Sequence, residues 1–106
     1  MLSLKAKIDR FIEFSNSACE ADSEFEVAAI YAACEQLKEE LESDERLSHE
    51  CRELICNIMT YVREVLRIDG ESADITIATD SILSLGMSLS TQFNILQNNR
   101  ASNYSD

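Results

Sequence analysis

Proline and tryptophan are absent from this 106-residue sequence, glycine occurs twice and histidine once. Without proline, and with few β-branched runs, little interrupts helix propagation, and the abundant Glu, Leu, Ala and Ser favour helices joined by short turns. Basic residues are scarce as well, nine against twenty acids, which leaves a formal charge of −11. A field of that sign repels nucleic acid and anionic membrane and attracts basic partners, so direct DNA or RNA binding is not expected. A third gap is local. Residues 81 to 99, SILSLGMSLSTQFNILQNN, hold no charged residue in a chain that is 27% charged.

Running back from that charge-free stretch to Ile75, apolar residues recur every seven positions, at Ile75, Ile82, Leu89 and Leu96, with Ala78, Leu85 and Phe93 between. Such a repeat makes one continuous seam on a helix, and the other helices are expected to pack around it. Its Ser84, Ser88, Ser90, Thr91, Gln92 and Asn94 make it too polar to span a bilayer. Ile75 to Thr79 alternate as a strand would, but an isolated strand has no partner. Gly86 costs about 1 kcal/mol relative to Ala in a helix. Either the helix packs closely there or it breaks in two.

The other elements follow from caps and periodicity, and the expected fold is all-α: a single-domain bundle of four main helices over residues 1–97, with 98–106 as a flexible tail. At this length the chain needs neither metal nor disulfide to fold. Ser3 caps a first helix running to about Phe14, with Leu4, Ile8, Phe11 and Ile12 on one face, and Ser15 to Asp22 reads as a turn. Lys5, Lys7 and Arg10 oppose the macrodipole of that helix. They either meet the acidic middle of the chain or are solvated. Ser23 and Glu26 form a capping box for a second helix through Val27, Ile30, Cys34, Leu37 and Leu41 to Glu42, with Ala28, Ala29, Ala32 and Ala33 allowing close approach of a neighbour. Ser43 or Ser48 caps a third helix whose seam, Leu47, Cys51, Leu54, Ile58, Tyr61, Val65 and Ile68, is widened by Ile55, Met59, Val62 and Leu66. That width suits a central helix, or one leaving apolar surface for a partner. Gly70 supplies the left-handed residue that ends it, and Ser72 or Asp74 starts the last helix.

No stretch advertises catalysis, and the expectation is a protein that is not an enzyme and takes no cofactor. His49 and Cys51 face different ways on a helix, and Cys51 and Cys56 lack zinc-knuckle spacing. On a helix His49 would sit between Glu45 and Glu53. There is no Glu-x-x-His for a carboxylate-bridged metal pair. The glycine of Asp69-Gly70-Glu71-Ser72-Ala73-Asp74 is misplaced for a calcium loop, and no phosphate loop or nucleophile motif occurs. MLSLKAKIDRFIEF offers no signal-peptide core, so a cytoplasmic location is expected and the four cysteines, Cys19, Cys34, Cys51 and Cys56, would stay reduced.

The acidic middle is the remaining feature. Twelve acids lie between Glu20 and Glu53 against Lys38, Arg46 and Arg52. They are either a solvated face or a patch, Glu35, Glu39, Glu40, Glu42, Asp44 and Glu45, that docks on the Lys and Arg of a partner. In size, acidity and helical content the chain resembles small phage-encoded inhibitors of the anti-CRISPR type and, less closely, immunity proteins that neutralise nuclease toxins. The resemblance implies a monomeric inhibitor in the host cytoplasm that blocks the guide-RNA- or DNA-binding surface of a basic protein or ribonucleoprotein complex. The alternative is a helical assembly, chaperone or immunity protein, with a homodimer or co-folding contact through Ile82, Leu85, Leu89 and Phe93 of the last helix.

Overall fold

Three serines set the register of the chain. Ser3, Ser23 and Ser48 each accept, through the side-chain oxygen, the backbone N–H three residues on, at 3.1, 3.1 and 3.2 Å, and a helix starts at each. The structure, a computed structural model, describes residues 3–68, 70 and 75–104, residues 96–104 by backbone alone. It contains α1 (Leu4–Ala18), α2 (Glu24–Glu42), α3 (His49–Val65) and α4 (Ile75–Tyr104), and no strand among the described residues. The all-α four-helix bundle is as expected. The residues proposed to start the last helix, Ser72 and Asp74, and the side chain of Leu96 lie outside the described residues.

Several local boundaries differ from the sequence reading. α1 continues through the serines taken for a turn, because the buried Ser15 hydroxyl donates to the Phe11 carbonyl at 2.7 Å and so needs no water. The box at α2 closes one residue early: Glu26 Oε2 accepts from the N–H of Asp22 at 3.2 Å. Of the two candidate serines, Ser48 caps α3, while Ser43 ends α2 with its hydroxyl on the Glu39 carbonyl at 2.8 Å. At the end of α3 the left-handed residue is Arg67, φ 57°, with the N–H groups of Ile68 and Arg67 closing on the carbonyls of Arg63 and Glu64. This is a Schellman motif built without glycine. Gly70, φ 103°, bends the chain beyond it. α4 is unbroken at Gly86, where a Cβ would meet Ile12 Cγ2 at 3.3 Å, and it runs past residue 97 because no Pro or Gly follows to stop it.

The core runs through all four helices. Leu4, Ile8 and Phe11 of α1 meet Cys34, Leu37 and Leu41 of α2, Cys51, Ile55, Ile58 and Val62 of α3, and Ile82, Leu89 and Phe93 of α4. The centre of the buried α3 face is the row Cys51, Ile55, Ile58, Met59 and Val62, with Leu54, Tyr61, Val65 and Ile68 at its flanks. α4 is not the hub that the charge-free seam suggested. Among the described residues it packs on α3 and α1 and not on α2, whereas α3 and α1 each touch the three other helices. Long apolar periodicity marks a helix that is buried along one side, and says nothing about how many neighbours share that side.

Candidate functional site

α2 has one side turned to solvent along its whole length. Cys34, Leu37 and Leu41 are buried against α1 and α3. Nine residues back from Cys34, about 180° around the helix, Phe25 is 83% exposed. Ala28, Ala29, Ala32, Gln36 and Glu39 are exposed with it. These alanines, expected to admit a neighbouring helix, therefore face outward, because both neighbours of α2 lie on its other side. Phe25 was not singled out from the sequence. Its offset of half a turn from the Cys34 row was the available signal.

The six acids of the anticipated patch do not act alike. Glu35, Glu39 and Glu45 are exposed and make no ion pair among the described residues. The other three are held internally. Glu40 meets Lys7 of α1 at 3.4 Å, so one of the α1 lysines reaches the acidic middle while Lys5 pairs with Asp9 in its own helix at 2.9 Å. Glu42 meets Lys38 at 3.2 Å and accepts from the Cys56 thiol at 3.1 Å. That thiol first, then Lys38, lowers its carboxyl pKa. Asp44 takes the Arg46 guanidinium at 2.7 and 3.0 Å and the Arg46 N–H at 2.9 Å, and these bonds bring its pKa down to about 2. Arg52 closes the same turn by donating to the Asp44 carbonyl at 2.7 Å.

The patch is thus a row of uncommitted carboxylates, Glu35 and Glu39, continued by Glu45 on a turn that Asp44, Arg46 and Arg52 hold in place. Tyr31 and Arg63 brace α2 from beneath, the guanidinium donating to the phenol oxygen at 2.6 Å. Because α2 has no basic residue in its last turn, Glu39 and Glu42 stand unfavourably against the negative end of the helix dipole.

His49 opens α3, so Glu45 lies off the helix, and among the described residues the carboxylate that reaches the imidazole is Glu53, at 3.1 Å. No group of three or more His, Cys, Asp or Glu among the described residues could hold a metal ion. The cysteines are free. Cys34 and Cys51 are core residues, and burial pushes the Cys34 thiol up to about 11. No helix of the described residues is long and apolar enough to cross a membrane. The seam named for a dimer or co-folding contact is occupied: Ile82, Leu89 and Phe93 are buried in the chain's own core, and Leu85 is half-buried. No protein-family model matches the chain, and no match is found among the curated proteins or the solved structures.

Proposed function

We propose that this protein is a non-catalytic inhibitor, in the manner of the anti-CRISPR type it resembles. It docks through the outward face of α2 and the turn after it on a basic surface of a larger nucleic-acid-handling protein or ribonucleoprotein complex. There it blocks the place where guide RNA or DNA phosphates would bind. The observation that carries this reading is the row itself: an 83% exposed phenylalanine beside uncommitted carboxylates, on the side of α2 that the described residues leave uncovered.

An exposed aromatic supplies the anchor that charge alone lacks. Glu35, Glu39 and Glu45 supply the field that steers a Lys- or Arg-rich surface onto it and sets its orientation. Their position supports the same reading, since acids gathered at the C-terminal end of a helix lower its local stability. Glu40, Glu42 and Asp44, already paired, hold the edges of the surface and contribute less attraction.

The test is affinity capture from a lysate of the source cells at about 0.05 M and about 0.5 M salt, using the wild type, Phe25→Ala and the triple variant Glu35→Lys, Glu39→Lys, Glu45→Lys. The wild type retains a basic nucleic-acid-binding protein that salt releases, and both variants lose it while their circular dichroism is unchanged. Equal capture by all three dismisses the proposal.

A further inference from the structure

The end of α1, the start of α2 and the end of α3 surround a cavity of about 920 Å³. Three of the residues that line it, Ala18, Ala21 and Ala28, stop at Cβ, so side chains do not fill the space between the helix ends. Val27, Leu66 and Ile68 complete an apolar floor. Sites for small molecules have this form, a hollow with apolar walls and a few polar groups that fix the orientation of what binds.

The polar groups here carry charge of both signs. Asp22 and Glu24 stand on the α2 side of the cavity and Arg67 on the α3 side, all of them exposed. In a chain with twenty acids, Arg67 makes no ion pair among the described residues. Neither do Asp22 and Glu24, although they line the same cavity. Opposite charges that share a cavity without meeting are complementary to a molecule that carries both charges itself. Arg67 is also left-handed, φ 57°, where a Cβ is strained. A glycine would end α3 without that strain, but would bring no guanidinium to the cavity. Strained backbone gathers at ligand sites, and here the strained residue is the cation of the cavity.

We infer that this cavity binds a short apolar peptide with free ends. The peptide's ammonium group lies against Asp22 and Glu24, its carboxylate takes the Arg67 guanidinium, and its side chains cover Val27 and Ile68. A volume near the upper end of the small-molecule range suits a peptide of a few residues over a single amino acid. Glu35, Glu39 and Glu45 do not line the cavity, so the site is separate from the carboxylates of the α2 docking row.

Two-dimensional amide NMR of the full chain tests this, with trileucine, its C-terminal amide and its N-acetyl form each added to about 10 mM. Trileucine should shift the amides of Ala21, Val27 and Ile68. Amidation and acetylation should each weaken binding about three- to tenfold. Arg67→Gly should bind trileucine and its amide alike, since the partner of the carboxylate is gone while the fold remains. Absence of shifts, or shifts confined to other parts of the chain, overturns the inference. So does equal binding of the three peptides by the wild type, which would make the cavity an apolar hollow only, or an Arg67→Gly variant that still prefers the free carboxylate.

Discussion

Phe25 and Glu39 lie in one outward row of α2, about 21 Å apart along its axis, on the side opposite the buried Cys34 and Leu41. Among the described residues, nothing covers either one. An aromatic ring and a carboxylate so arranged give a helix an apolar anchor at one end and a charged one at the other.

The two ends separate experimentally. Phe25→Ala should change unfolding free energy by less than about 0.5 kcal/mol, as exposed positions do, yet weaken partner binding at least about tenfold. Glu39→Gln should raise stability by about 0.5 kcal/mol, because it removes a negative charge from the C-terminal turn of α2, while reducing the salt dependence of binding. Urea titration beside calorimetric binding reads both. A loss of stability in either variant would mean that the face is structural.

Asp44 makes the α2–α3 turn sensitive to acid. Its folded pKa of about 2 lies below the ordinary 3.8, chiefly through the Arg46 guanidinium and N–H. The carboxylate therefore stabilises the fold above the unfolded value, and the effect is lost as pH falls from about 4 to about 2. Asp44→Ala should cost under about 1 kcal/mol at neutral pH, since its Arg46 partner is 62% exposed and the pair is screened by solvent. The gap from wild type should close at pH 2 in urea melts. A gap independent of pH would show that the ion pair contributes nothing.

Thiol titration distinguishes the cysteines. Cys56 is exposed and should react in the native protein, although the Glu42 carboxylate that accepts its proton holds its pKa above the usual 9.0. Glu42→Gln should accelerate that reaction below pH 9. Cys34 and Cys51 should react only on unfolding. Native reactivity of Cys34 would contradict the packing of α1 on α2.

Arg67→Gly should stabilise the protein by about 0.5–1 kcal/mol, because a left-handed residue with a Cβ is strained and the lost cation at the α3 terminus returns only part of that. Thermal unfolding of the variant measures it. An unchanged or lower midpoint would place the strain elsewhere.

The features legible in the sequence were those with local causes. Ser3, Ser23 and Ser48 cap through bonds three residues long, and the rows Leu4–Ile8–Phe11 and Cys34–Leu37–Leu41 announce their own buried faces. What the sequence hid depends on distant chain. Ser15 stays helical because the core covers it, a serine that looks like a turn residue in isolation. Glu40 is neutralised by a lysine thirty-three positions earlier, so a patch counted by charge alone overstates its free carboxylates. Phe25 is exposed because both neighbours of α2 lie on one side, and helix order is not written in the spacing of one helix.

The most direct measurement is competition on the captured partner. A labelled oligonucleotide is bound to that partner, the protein is added, and fluorescence anisotropy follows release. The wild type should displace the oligonucleotide with one-to-one saturation per α2 face, and the triple variant Glu35→Lys, Glu39→Lys, Glu45→Lys should displace none. A complex in which protein and oligonucleotide remain bound together would contradict the account.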